Sequence, residues 1–373
     1  MTLPARLVIA GLSVRAAAEA ARRDGFDVVA VDQFGDADTR AAATAWHALA
    51  PLPDVGGGAP WLVTSGFDTP DALTALHTRP LLGTAPAAMA RVRDPRTFFS
   101  ALDARGIAHP AVSLAPQTGT GWLCKDFASS GGQQVRPVDQ APCVPSPGRY
   151  WQRHVPDAAP VSLTFLGNGE RAALLGLNQP LLHPDAACPW RFGGLIGPLP
   201  MTGRQQTRLQ GFADRLTSEF DLCGLASLDL LQRGDAEADA GEDEWLVLEI
   251  NPRLSASLVL YGAAGGLMRA VVAACVHGRL PDEPTVQRLR GPHLRGFEIV
   301  RPARPCVLGA SGVRALQQRA AALGLHDLPA GPQGFEAGDP LCSVEAEGDS
   351  ADDVLRALAD RRAALDGFLE TFT

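Results

Sequence analysis

An acid and a carboxamide, two residues apart, follow an apolar run near residue 250. The run at 246–248 leads into Glu249, and Asn251, Pro252 and Arg253 come next. In an extended chain, Glu249 and Asn251 point to the same face, about 7 Å apart along the strand. Two hard oxygen ligands on one face suit Mg²⁺ that also binds phosphate oxygens of a substrate. A half-buried edge strand with a solvated polar face would show the same pattern.

A second strand-like run, 226–232, carries a single acid, Asp229. An acidic, glycine-containing segment, 233–244, separates the two runs and is typical of a long hairpin loop. If the strands are antiparallel neighbours, Asp229 returns beside Glu249 and Asn251. We therefore predict that these three side chains converge on one site and could bind a metal ion.

The chain has 32 arginines and one lysine, Lys125. Such a bias indicates that the lysine lies where a compact ammonium fits and a planar guanidinium does not. Lys125 lies in a short strand-like segment, and a Ser/Gly loop follows it. Small loop residues let backbone N–H groups approach phosphates closely, although Ser-Gly-Gly is also common in ordinary hairpin turns. The predicted phosphate-binding loop residues are Ser129, Ser130, Gly131 and Gly132.

Composition excludes several classes of function. The net charge of −8 gives no electrostatic support for binding nucleic acid or an anionic membrane. No apolar stretch approaches 18 residues, and the first residues lack the plan of a signal peptide. Seven scattered cysteines without a Cys-x-x-Cys pair predict neither a disulfide framework nor a zinc site. We expect a cytoplasmic protein.

The first 92 residues show a β-α-β pattern. Strand-like runs at 6–10, 27–32 and 61–66 alternate with helical patterns, which predicts a right-handed parallel unit and a small open α/β domain. The turn after the first strand lacks the Gly-x-Gly-x-x-Gly fingerprint, so a dinucleotide-dependent dehydrogenase is disfavoured. Asp32, at the end of the second strand, could hold a ribose, but because the glycine fingerprint is absent we predict that it caps a loop.

The chain resembles the ATP-grasp superfamily and its carboxylate–amine ligases in the order of its motifs. These motifs are a strand with a lysine, a Ser/Gly loop, and then an acid followed by Glu-x-Asn-Pro-Arg. The resemblance covers most of the chain and implies an α/β (α+β) ATP-grasp fold. It implies an N-terminal pre-ATP-grasp domain at 1–92 and an ATP-grasp domain at 93–280. The latter divides into a lid at 93–150 and a larger part at 151–280. A C-terminal element follows at 281–373. Its first residues, 281–292, are expected to form a linker.

The resemblance also implies roles in binding ATP. Lys125 would hold phosphate oxygens, and the Ser/Gly loop would cover the phosphates. Arg96 stands near the position of a first ATP-binding lysine and either replaces it or leaves that contact missing. A strand-to-linker segment would bind adenine and ribose; its matching residues are Gln152, Arg153, Val155 and Asp157.

Roles at the reacting end follow from the same resemblance. Asp229, Glu249 and Asn251 would hold Mg²⁺, with Mn²⁺ as an alternative ion. Arg253 would face the transferring phosphoryl group and the substrate. Arg191, on a glycine-rich loop, would clamp a phosphate or a substrate carboxylate; a solvated loop arginine is nearly as good an interpretation.

The implied function is an ATP-dependent ligase that joins a carboxylate and an amine through an acyl phosphate. Small-molecule cofactor biosynthesis by glutamyl ligation is the pathway that the family suggests. Carboxylation, phosphorylation of a small molecule and an inactive nucleotide-binding protein remain alternatives. The expected partners are small-molecule substrates, without nucleic acid or membrane, and the oligomeric state stays open, a homodimer included.

Overall fold

The computed structural model describes residues 2–127, 131–139, 143, 146, 148–185, 188–234 and 244–372. It confirms the predicted mixed α/β class, because a parallel sheet and antiparallel sheets are both present. Within the described residues, no helix is both long and apolar enough to cross a membrane.

Parallel strands organise the N-terminal part, as the sequence predicted. The strands are β1 (Arg6–Gly11), β2 (Asp27–Asp32), β3 (Ala45–Ala48) and β4 (Trp61–Val63), in the order β3-β2-β1-β4. The helices up to the lid are α1 (Arg15–Arg23), α2 (Ala37–Ala42), α3 (Pro70–Leu76), α4 (Pro86–Arg93) and α5 (Pro95–Ala104). Asp32 caps the loop after β2, since its Oδ1 accepts hydrogen bonds from the Gly35 amide and the Trp46 indole.

A small antiparallel sheet lies in the segment that was predicted to be the lid. Its strands are β5 (Val112–Ser113), β6 (Trp122–Asp126), β7 (Arg136–Pro137) and β8 (Arg149–Arg153), in the order β5-β8-β6-β7. The structure records a disulfide between Cys124 and Cys143, with Cα atoms 6.3 Å apart. The expectation of no disulfide is wrong for this pair. The pairing of β6 with β7 turns the chain back toward Cys124, a proximity that cysteine spacing alone does not reveal.

Eight of the described strands form one large antiparallel sheet. Its central strands and the helices around them are β9 (Ala159–Asn168), β10 (Ala172–Leu182), β11 (Phe192–Leu199), α6 (Gly203–Phe220), β12 (Cys223–Arg233), β13 (Glu244–Asn251), α7 (Leu267–His277) and α8 (Glu283–Arg290). Helix α6 buries an apolar stripe of Leu209, Phe212, Leu216 and Phe220 under the sheet. The expected linker at 281–292 is wrong. Asp282 caps α8 by accepting the Thr285 amide, and Val286 and Leu289 anchor the helix in the core.

The C-terminal part extends the same sheet. Its elements are β14 (Leu294–Val300), β15 (Cys306–Leu308), α9 (Ala310–Leu323), β16 (Leu325–His326), β17 (Gln333–Phe335), β18 (Cys342–Gly348) and α10 (Ala351–Leu369). The sheet order is β13-β12-β9-β10-β11-β14-β18-β16, so the strands with the predicted metal ligands lie at one end and the C-terminal strands at the other.

Candidate functional site

The predicted acid hairpin is present. Strands β12 and β13 are antiparallel, with Asp229 opposite Glu249 and Ser227 opposite Asn251. A register shift directly after Asp229 leaves this pair at an irregularity of the ladder. Ser162 on the neighbouring strand β9 donates a hydrogen bond of 2.7 Å to Asp229 Oδ1. Three adjacent strands thus fix the acid pair from one side.

The two carboxylates repel each other. Burial, followed by the charge of Glu249, raises the pKa of Asp229 to about 7. Lys125, on lid strand β6, faces the same acids. Burial lowers the pKa of the Lys125 ammonium, while Glu249 and Asp229 act against that shift. Two neighbouring carboxylates that repel each other even beside Lys125 fit a site that gains stability when a divalent cation binds.

Asn251 links the acids to two arginines. Its Nδ2 donates hydrogen bonds to Asp229 at 3.0 Å and to Glu249 at 3.5 Å. Its Oδ1 accepts from Arg93 at 3.1 Å and from Arg253 at 3.2 Å. The two carboxylates therefore suit a magnesium ion as the structure stands, whereas the Asn251 oxygen would reach it only after a rotation of the amide.

Asp68 holds the two guanidinium groups together. Arg93 and Arg253 both bond to its Oδ1, the latter at 3.4 Å. Burial would raise the pKa of Asp68, but the two arginines outweigh it and hold that pKa below its usual range. The N-terminal domain thus positions both arginines at the edge of the acid hairpin. Neither Arg93 nor Asp68 was predicted, because no local pattern marks one arginine among 32 or the acid that binds it.

A buried hydrogen-bond network lies under the acid hairpin. Asn178 on β10 donates to Thr164 at 2.9 Å and accepts from the Tyr261 hydroxyl at 2.6 Å. Thr164 donates in turn to Ser257 at 2.7 Å. Because Asn178 also donates to the backbone oxygen of Ser162, this network supports the serine that contacts Asp229. Satisfied buried networks of this kind make a floor rigid.

The site opens into a cavity of about 1000 Å³ lined by all parts of the chain. Gln152, Arg153 and Val155 line the cavity, as predicted for the adenine segment. Gln152 is almost fully buried, and its Nε2 has no hydrogen-bond partner within the described residues. An unpaired buried donor is costly, so Gln152 is suited to a ligand acceptor. Asp157 is exposed and is not part of the cavity wall.

The predicted phosphate loop reaches over the cavity. Gly131 and Gly132 line it, whereas Ser129 and Ser130 lie outside the described residues. The Phe192 amide donates to the Gly131 oxygen at 2.9 Å, which ties the loop to β11. Gly132 has φ +73°, and a Cβ there would lie 1.9 Å from the Trp190 oxygen. Glycine is therefore required for this close approach.

Two predicted arginines do not reach the cavity. Arg96 is exposed in the first turn of α5 and is absent from the wall. Arg191 pairs with Asp185 and is also absent from the wall. Arg301, which the sequence analysis missed, does line the cavity, and its Nη1 is buried without a hydrogen-bond partner among the described residues. Burial, followed by the charge of Arg191, lowers the pKa of Arg301, so an anion would be favoured beside it.

The chain is similar to known proteins both in its sequence family and in its fold. Residues 92–257 match the ATP-grasp domain family. No curated protein sequence matches the chain. The N5-carboxyaminoimidazole synthetase of Staphylococcus aureus, complexed with ADP, has a TM-score of 0.69 at 13% identity, over 97% of this chain and 98% of that one.

Two further solved structures are similar. The biotin carboxylase domain of the Hydrogenobacter thermophilus 2-oxoglutarate carboxylase was solved as a dimer with MgADP, ADP and bicarbonate. It has a TM-score of 0.69 at 10% sequence identity, over 96% of this chain and 90% of that one. The L-amino acid ligase of Bacillus licheniformis has a TM-score of 0.65 at 12% sequence identity, over 97% of this chain and 98% of that one. The chain spans only 39% of Rhizobium etli pyruvate carboxylase, at 12% identity and TM-score 0.68 over all of this chain. The resemblance to ATP-grasp enzymes and the predicted fold are confirmed, and the particular reaction stays open.

Proposed function

We propose, starting from the ATP-grasp domain of residues 92–257, that the chain is an ATP-dependent ligase that forms an amide between a carboxylate and an amine. The single observation that carries the proposal is the convergence of Lys125, the Asp229–Glu249 pair and Arg253 on the cavity wall, where Asn251 bonds to both Arg253 and Arg93.

ATP would lie between the lid and the large sheet. Gln152 would donate its unpaired Nε2 to the adenine, beside Val155 in the linker after β8. Lys125 would contact phosphate oxygens from the lid side, and the backbone of Gly131 and Gly132 would cover them. Asp229 and Glu249 would hold Mg²⁺, with Asn251 joining them after its amide rotates. The bound ion would neutralise charge on the transferring phosphoryl group.

The reaction would proceed in two steps. A carboxylate oxygen attacks the γ-phosphorus, the bond to ADP breaks, and an acyl phosphate forms. The amine then attacks the acyl carbon, phosphate leaves, and the nitrogen loses a proton. Arg253 and Arg93 would stabilise negative charge on the transferring group, since Asp68 holds both in place before the substrate arrives. Arg301 would bind a carboxylate farther along the cavity.

Carboxylation is the second candidate. It is favoured by the similarity to a synthetase and a carboxylase whose names describe carboxylation, one of them solved with bicarbonate. The amino acid ligase is similar to the same extent and favours amide formation. Glutamyl ligation in cofactor biosynthesis is our specific proposal for the pathway, and it rests on family resemblance alone.

The test is an ADP-release screen of carboxylate and amine pairs, with mass detection of the product. Amide formation predicts ADP release that requires both substrates and a product lighter than their sum by one water. ADP release that requires bicarbonate and adds the mass of CO₂ would replace the proposal with carboxylation. A stable phosphorylated product would indicate a kinase, and no ADP release with any pair would favour a nucleotide-binding protein.

A matched pair of variants controls the screen. Glu249→Gln should abolish Mg²⁺-dependent ADP release, because it removes one carboxylate from the acid pair. Glu170→Gln, in the exposed turn between β9 and β10, should release ADP at the wild-type rate. Equal rates in the two variants would remove the metal role from Glu249.

A further inference from the structure

The cavity wall includes a second charged region besides the acid hairpin. There the loop before α2 meets the C-terminal segment after β16. The Ala37 amide donates to the Leu328 oxygen at 2.8 Å, and Asp38 accepts the amides of Asp327 at 2.7 Å and Leu328 at 3.2 Å. Asp36, directly before α2, lines the cavity at this junction. The site proposed for ATP does not use this region.

Asp36 is a buried carboxylate without a partner. Its exposure is 8%, and in the described part of the chain its side chain accepts no hydrogen bond, not even from the helix that it precedes. The neighbouring carboxylates are occupied: Asp38 accepts two backbone amides, and both oxygens of Asp327 accept from Arg15, at 3.2 and 3.3 Å. Asp36 is thus the acid at this junction that offers open oxygens to the cavity.

The charged groups around Asp36 carry an excess of negative charge. Arg15, from α1, is the cation at this junction, and it is shared among Glu19, Asp327 and Glu345. Burial, together with the charges of Asp327, Asp38 and Asp32, raises the pKa of Asp36 to about 8, and Arg15 only partly opposes this shift. A ligand that carries positive charge would therefore gain more here than a neutral one.

The geometry favours a monovalent cation over a metal ion. Calcium needs several oxygen ligands and magnesium nearly ideal octahedral geometry, and among the described residues Asp36 does not belong to a cluster of three or more ligand side chains close enough to hold a metal ion. A primary ammonium needs only a few acceptors, and one carboxylate can supply a charge-assisted hydrogen bond. Apolar residues stand nearby: Phe34 is 47% exposed two residues before Asp36, and Phe34, Pro329 and Phe335 line the cavity.

We propose that Asp36 binds a primary ammonium group on the substrate, and that an apolar body joins this ammonium to the reacting group. Asp36 follows β2, while the Leu254 amide beyond the acid hairpin bonds to Val63 at the end of β4. Strand β1 lies between β2 and β4, so the two places are anchored on strands that are not adjacent in the sheet. The ammonium at Asp36 is then a recognition group and not the attacking amine. This inference deepens the proposed ligase function and rests on it for the reacting group.

The test is calorimetric titration of the chain without ATP, using phenethylamine and its neutral counterpart phenethyl alcohol. We expect phenethylamine to bind at least about tenfold more tightly, because only the amine gains the charge-assisted bond to Asp36. Near pH 7, binding should release close to one proton to the buffer, since the ammonium favours the ionised form of a carboxyl whose pKa is about 8.

Two variants make the test decisive. Asp36→Asn should abolish both the preference for the amine and the proton release. Asp71→Asn, on the exposed side of α3, should keep both. A melting temperature of Asp36→Asn at or above that of the wild type would establish that it folds. No binding of phenethylamine, equal affinity for the alcohol, or an unchanged preference in Asp36→Asn would each overturn the proposal.

The outcome is separable from that of the proposed function. The titration contains no nucleotide, so a chain that forms no amide can still bind the amine through Asp36. Conversely, a chain that forms amides but binds both probes equally would refute only the ammonium site.

Discussion

Replacing Asp229 by Asn should make the nucleotide-free protein more stable and inactive at once. The acid pair is arranged for a cation, and without one the two charges repel across the hairpin. The pKa of Asp229 rises from 3.8 to about 7 through burial and through Glu249. If Asp229 bore the whole shift, the folded state would lose about 4 kcal/mol at neutral pH.

The net gain in the variant is smaller. Glu249 shares the repulsion, and water in the cavity screens it. Asn also keeps only one of the two acceptors that now bond to Ser162 and Asn251, a loss of about 1 kcal/mol. We therefore expect a stabilisation of roughly 1–2 kcal/mol, which is a rise in Tm of a few degrees for a chain of this size.

The pH dependence carries a sign that tests the cause. A carboxyl whose pKa is higher in the folded state destabilises the fold increasingly as pH rises above about 4, and the effect levels off above about 7. The Tm difference between Asp229→Asn and the wild type should therefore be near zero at pH 4 and maximal above pH 7.

The assay is thermal unfolding in EDTA from pH 4 to 8, repeated with Mg²⁺ and ADP. Mg²⁺ with ADP should raise the Tm of the wild type and leave that of Asp229→Asn almost unchanged. ADP release by the variant should fall below detection. A variant that melts lower than the wild type at pH 8, or that keeps Mg²⁺-dependent turnover, would refute the idea that this pair is built for a cation.

Three further predictions use other parts of the site. Lys125→Arg should lower kcat/KM for ATP about 10²-fold, nearly as much as Lys125→Ala, because a guanidinium fits poorly where an ammonium contacts phosphates; near-normal turnover in steady-state kinetics would contradict it. Gly132→Ala should raise the KM for ATP with little change in Tm, since a Cβ would strike the Trp190 oxygen and hold the loop off the cavity; an unchanged KM would count against the loop's role. Tyr261→Phe should destabilise the fold by about 1–3 kcal/mol by leaving buried Asn178 Oδ1 unpaired, and denaturant unfolding that shows no loss would contradict the rigid-floor interpretation.

The acid hairpin could be predicted from sequence because its causes are local. Alternation along two short runs set the faces of Asp229, Glu249 and Asn251, and the polar segment between them set the antiparallel return. Helix α6 was predictable for the same reason, since four apolar residues recur at helical spacing under a single sheet. Lys125 stood out because the remainder of the chain uses arginine.

The residues that sequence did not reveal depend on distant contacts. Arg93 reaches Asn251 across 158 positions, and Arg253 reaches Asp68 across 185. Arg301 lies on the cavity wall only because β14 and the segment after it continue the large sheet. Arg191 looked equally suitable on its glycine-rich loop, but a local partner, Asp185, holds it away from the cavity. A local sequence pattern cannot distinguish two arginines that differ only in the residues that lie beside them in the folded chain.

The continuity of the large sheet limits how the chain can be cut for engineering. Strand β14 pairs with β11, and a Cβ at Gly194 would lie 2.0 Å from the Phe297 oxygen, so the two backbones fit directly against each other. A fragment ending at residue 280 would leave β11 as an open, apolar edge, which is a template for aggregation. The C-terminal segment is therefore poorly suited to exchange between enzymes as an independent module. The peripheral lid sheet, with its own four strands, offers a better boundary for building chimaeras.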